Sequence, residues 1–90
     1  MFAWDEGKRL KVLDEHRVDF ELITDIFDDP NAIYRDDHGH SQSEVRYSVT
    51  GVTAQYGLVF LIFVYRDEMV RFITARRAEK WMVKDYERRL

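Results

Sequence analysis

Ninety residues, 46% of them hydrophobic and none of them cysteine, bound the protein to one domain with no disulfide frame and no thiolate metal site. The net charge of −3 is uneven: residues 1–45 carry five Lys/Arg against twelve Asp/Glu, residues 46–90 nine against five. The longest apolar run, Leu58 to Tyr65, is far short of the roughly 20 residues of a membrane span, and the start Met1-Phe2-Ala3-Trp4-Asp5-Glu6 carries acids where a signal peptide needs an apolar core, so a cytoplasmic protein without membrane contact is expected.

In chain order, Asp5 is placed to cap a helix over about 6–16, with Leu10 and Leu13 on its inner side and Val12 near the edge. Asp19 is placed to cap a second helix over about 20–28, where Leu22, Ile23, Ile26 and Phe27 recur at helical spacing until Asp28-Asp29-Pro30-Asn31 stops it. Ala32 to Arg35 reads as a short strand, and Asp36 to Ser43 as a polar loop.

Three strands follow. Glu44 to Thr53 alternates Val45, Tyr47 and Val49 with Arg46, Ser48 and Thr50. Leu58 to Tyr65 is continuously apolar, as in a central strand covered on both faces. Met69 to Ala75 is the third, and a two-residue Asp67-Glu68 turn would pair Tyr65 with Val70 and Val64 with Arg71. Arg77 to Leu90 reads as a closing helix with Trp81, Val83, Tyr86 and Leu90 as candidate buried positions. The predicted class is α+β: two N-terminal helices, an antiparallel meander of three to four strands, and a C-terminal helix. The helices are expected on one sheet face, with a site on the other.

Several blocks of residues carry a family resemblance. The first is Phe2-x-Trp4-Asp5-x-x-Lys8, then His16-x-Val18-x-Phe20 and Phe27-x-Asp29-Pro30. The second is His40-Ser41-x-x-Glu44-x-Arg46 with Gly51, and the third Val70-Arg71-Phe72-Ile73-Thr74-Ala75-Arg76-x-Ala78 with Tyr86-Glu87. In order and spacing these resemble the BrnT toxins of type II toxin–antitoxin systems. The resemblance implies a RelE-like fold and a ribonuclease that arrests translation. It also implies a BrnA-like antitoxin, operator DNA bound only through that antitoxin, and a toxin–antitoxin heterotetramer. The chain departs from the family at Val12, where Asn is usual, at Glu15 in place of Lys, and at Met82 in place of an acid. These departures motivate an alternative reading: a catalytically weakened homologue that serves as an antitoxin-binding and operon-regulating module.

Metal-free RNA cleavage needs a base for the 2′-hydroxyl, a cation for the charge developing on the phosphate, and an acid for the leaving 5′-oxygen. Arg76, at a strand–helix junction, is the first candidate cation, because a guanidinium pairs two phosphate oxygens and stays charged. Arg46, on the polar side of its strand, is the second. Imidazole suits proton transfer at neutral pH, which singles out His16, while a helix-end histidine also caps carbonyls. Glu44 is a candidate base or the residue that holds Arg46 in place. Lys8, Arg71, Arg77 and Tyr86 are candidate RNA contacts. His38-Gly39-His40 with Asp36 and Asp37 has chelating spacing, but no distant third ligand accompanies it, so no metal or other cofactor is expected.

Overall fold

In the computed structural model, which describes residues 1–36 and 44–90, Asp5 caps helix α1 (Glu6–His16) by accepting from the Lys8 amide at 3.0 Å, and Arg17 ends it in the left-handed conformation. The expected second helix is instead two 3-10 turns, Phe20–Leu22 and Thr24–Asp28. Phe20, Ile23 and Ile26 are all fully buried and stand three residues apart, the repeat of a 3-10 turn rather than of an α-helix. Leu22, counted toward an α-helical stripe, is exposed. Asp19 does cap the first turn, accepting from the Glu21 amide.

The sheet has five strands: β1 (Phe2–Ala3), β2 (Ile33–Asp36), β3 (Tyr47–Thr53), β4 (Gly57–Arg66) and β5 (Met69–Arg77), in the order β1-β5-β4-β3-β2. β3, β4 and β5 form the expected meander, and β2 extends it antiparallel on β3. β1 adds a two-residue parallel pairing on β5, too short to leave an alternation in the sequence. The Asp67-Glu68 turn has positive φ at both residues, 54° and 63°, which gives the type I′ twist of a two-residue hairpin and sets Tyr65 opposite Val70 and Val64 opposite Arg71. Farther along, the β4–β5 register shifts between Ile62 and Phe63.

That register sorts the side chains into two faces. Val49, Leu61 and Ala75 form a row packed with Val18, Phe20, Ile23 and Ile26 in the main core. Trp4 lies 5.4 Å from Phe72 and 6.0 Å from Phe20, and Phe2 lies 5.4 Å from Phe27, so the N-terminal aromatics close this core. The alternate rows, Thr50–Phe60–Arg76 and Ser48–Ile62–Thr74, belong to the second face. The closing helix α2 (Lys80–Arg88) lies on that second face, burying Met82 and Tyr86.

The helices therefore do not share one face. α1 packs along the edge of β5 and the 3-10 turns fill one face, while α2 partly covers the other. The inward positions change accordingly. Val12, not Leu10, is the buried residue of α1. In α2, Trp81 is exposed and Val83 only half-buried, and Leu90, beyond the end of the helix, is exposed.

Candidate active site

The second sheet face carries a groove of about 440 Å³. Its floor is the cross-strand row Arg35–Ser48–Ile62–Thr74, with Phe60 and Arg76 from the neighbouring row. His16 enters from the C-terminal end of α1, and Trp81 from the first turn of α2. Two residues sixty positions apart, His16 and Arg76, thus line one cleft because α1 runs beside β5 and ends where β5 leaves the sheet.

Arg76 stands over the Phe60 ring, 5.4 Å from its centroid, and pairs with Glu79 at 3.2 Å. Glu79 also accepts from the Trp81 indole at 2.9 Å, so one carboxylate orients both groups. Arg35 donates to Asp85 of α2 at 2.8 Å. Hydrogen bonding to Arg35 holds the Asp85 carboxyl below the usual range despite some desolvation, with added charge from Arg89 and Arg88.

The other anticipated residues fall around this groove. Arg71 lies opposite Val64, about 7 Å further along the same face of β4 than Ile62. Arg46 directly precedes β3. Glu44 forms a two-pronged ion pair with Arg66, and this hydrogen bonding, with the charges of Arg66, Arg46 and Arg71, holds its carboxyl below the ordinary value. Both Glu44 oxygens are engaged by Arg66. Lys8 is exposed on α1 in a shallower cleft with Lys11, Val12 and Thr74, and Thr74 also lines the main groove.

Two expected RNA contacts lie elsewhere. Arg77, opposite Val59, points to the core-side face and stacks on Tyr56 at 5.3 Å. Tyr86 is buried and donates to Asp29 at 2.7 Å; burial and that carboxylate push its hydroxyl up, so it remains a donor. The His38-Gly39-His40 segment lies outside the described residues, among which no group of three His, Cys, Asp or Glu is placed to hold a metal.

Arg35 and Trp81 line the groove without being among the anticipated residues. Arg35 stands in a four-residue edge strand whose register with Ser48 no local pattern reveals. Trp81 was assigned to the buried stripe of its helix, although the polar neighbours Lys80, Lys84 and Asp85 already hinted at a solvent-facing side.

A sequence model described as "Ribonuclease toxin, BrnT, of type II toxin-antitoxin system" matches residues 4–81. The chain belongs to the BrnT family. A crystal structure of the Brucella abortus ribonuclease toxin BrnT superposes with a TM-score of 0.68 at 23% identity, covering 89% of this chain and 99% of that one, which shows a shared fold. A search of curated proteins finds no match. Membership of the BrnT family makes the chain a ribonuclease toxin of a type II toxin–antitoxin system, and such a system supplies an antitoxin partner. The matched stretch contains His16, Arg35, Arg76 and Trp81, so the whole groove lies within the BrnT region. Val12 and Met82 are packed apolar residues that do not line this groove. Among the described residues, no helix is long and apolar enough to cross a membrane.

Proposed function

We infer that this toxin is a RelE-like endoribonuclease that cleaves single-stranded RNA without a metal ion and thereby inhibits translation. The observation that carries the reading is the meeting of Arg76 and His16 in one groove on the second sheet face. Arg76, oriented by its exposed pair with Glu79, takes two oxygens of the scissile phosphate and stabilises the charge that develops there. His16 transfers one proton and water the other: as base His16 accepts the 2′-hydroxyl proton while that oxygen attacks phosphorus and water protonates the departing 5′-oxygen, or as acid His16 protonates that oxygen while water takes the 2′-hydroxyl proton. The products are a 2′,3′-cyclic phosphate and a 5′-hydroxyl. Arg35 within the groove, and Arg71 and Arg46 beyond it, continue a cationic track for neighbouring phosphates, with Glu44 arranging the far end.

The partner in this reading is a BrnA-like antitoxin, assembled with the toxin as a heterotetramer and joining it to operator DNA. The acidic first half of the chain suits a Lys/Arg-rich antitoxin segment.

Growth after induced expression of the chain alone, beside Arg76→Ala and beside co-expression with a candidate antitoxin, is the primary test. Arrest by the wild type only, relieved by the antitoxin, is expected, and purified protein should cleave RNA undiminished in EDTA. Normal growth with folded wild-type protein would overturn the reading in favour of a weakened homologue that serves as a binding module. Cleavage abolished by EDTA would overturn metal independence.

A further inference from the structure

We propose that the groove contains a nucleobase subsite whose platform is the indole of Trp81, so that a base beside the cleaved bond stacks there while Arg76 holds the adjacent phosphate. This rests on the RNA-cleaving reading above and adds how the substrate is held. The chain has two tryptophans, and they are used differently. Trp4 is packed among Phe20 and Phe72. Trp81 is 56% exposed at the groove although its own helix buries Met82 and Tyr86. An indole left in water beside a cleft forgoes the burial that usually stabilises this side chain.

Its orientation is fixed as well. The Trp81 Nε1–H is satisfied by Glu79 Oε2 at 2.9 Å, and the other oxygen of that carboxylate holds Arg76 Nη2 at 3.2 Å. The aromatic surface and the phosphate-binding cation are therefore tied to one short segment, Arg76 to Trp81, at the end of β5 and the start of α2. The ring's only polar atom is engaged, so what Trp81 offers a ligand is an apolar π-surface. The groove supplies the rest of what a flat heterocycle needs: apolar walls from Phe60 and Ile62, and the Arg35 guanidinium for hydrogen bonds or stacking. Its volume lies within the usual range for small-molecule sites, about 300–1,000 Å³. Stacking on one aromatic platform contributes to binding of every base, so the subsite strengthens affinity with little sequence demand.

The test uses the full chain and a short unstructured 2′-O-methyl oligoribonucleotide, which lacks the attacking hydroxyl. Replacing Trp81 by Ala should weaken binding roughly 5- to 150-fold, Trp81→Phe should retain most of it, and the salt dependence should be unchanged because the phosphate contacts remain. In a Trp4→Phe background the remaining Trp81 fluorescence should be quenched by this oligonucleotide and not by one with abasic sugars on intact phosphates. Equal quenching by the abasic probe, or wild-type affinity in Trp81→Ala, overturns the subsite while leaving RNA cleavage standing. Trp81→Ala that loses antitoxin binding but keeps RNA affinity overturns it too, in favour of a protein contact. A wild type that neither binds nor cleaves RNA removes the functional reading and the subsite together.

Discussion

Tyr86 donates its hydroxyl to Asp29 at 2.7 Å, linking the last helix to the end of the 3-10 turns across 57 positions of sequence. Asp29 also accepts from the amides of Asn31 and Val52, both at 2.8 Å. One carboxylate therefore ties α2 to β3 and to the turn entering β2, and so sets where Trp81 and Asp85 stand over the groove. Tyr86→Phe removes one hydrogen bond to a charged acceptor at a buried position and should cost about 1.5–3 kcal/mol. Urea denaturation measures this, and a folded Tyr86→Phe protein should keep its RNA cleavage, because the side chain is buried and outside the groove lining.

The same carboxylate makes stability depend on pH. Burial pushes Asp29 up, but its hydrogen bonds from Val52, Tyr86 and Asn31 together outweigh burial and leave it below its ordinary value. The Arg9 guanidinium, bound through two hydrogen bonds, likewise holds Asp19 down against partial burial. A group with a depressed folded-state value contributes stability that is fully present above the unfolded aspartate value of about 3.9 and is lost as pH falls through the folded value. The urea midpoint should hardly change for these groups between pH 7 and 5 and should fall steeply below pH 4. Asp29→Asn should be less stable at neutral pH and show a shallower acid decline; an unchanged acid slope in that variant would count against this assignment.

Gly51 is a packing requirement. A Cβ there would stand 2.9 Å from Ile26 Cγ1, 3.2 Å from Ala32 Cβ and 3.3 Å from the Ile26 carbonyl oxygen. The 3-10 turn lies directly on β3 at this point, and Ile26 is fully buried, with little freedom to yield. Gly51→Ala should destabilise by about 1–3 kcal/mol, the range for an overpacked core. Thermal denaturation tests it, with Val52→Ala, an exposed neighbour, as a control close to wild type.

Arg76 should not be replaceable by lysine. A lysine keeps the charge but loses the planar fork that the proposed mechanism uses to grip two phosphate oxygens, and the flat surface that lies over Phe60. Loss of a preorganised contact to the developing charge costs roughly 100- to 1,000-fold in rate. Arg76→Ala should fall by at least that and Arg76→Lys by somewhat less, with unfolding unaffected by either because the side chain is half-exposed. Single-turnover cleavage of a labelled RNA reads the rates.

Local signals were legible where a few neighbouring residues decide the outcome. Asp5 capped its helix, and Asp67-Glu68 fixed the hairpin register, because both depend on contacts within three or four positions. The segment 20–28 was misread because Leu22 and Phe27 completed an α-helical stripe, whereas burial selected the spacing of Phe20, Ile23 and Ile26. Arg76 and His16, singled out from chemistry and family pattern, line one groove in the structure. The placements of Arg77 and Tyr86 were not legible, because strand register decides the face Arg77 takes and the docking of α2 decides what Tyr86 meets.

The sequence alone thus determined helix α1 and its cap, the β3–β5 meander with its hairpin turn, the α+β class and the BrnT kinship. Each follows from short-range backbone preference or from residues at fixed spacing. Only the tertiary structure decided that α2 crosses to the second face, that Arg35 completes a row with Ser48, Ile62 and Thr74, and that His16 faces the same groove as Arg76. These relations join residues many positions apart. They depend on strand register, on the shift between Ile62 and Phe63, and on the Tyr86–Asp29 hydrogen bond, all of which exist only once the sheet has assembled.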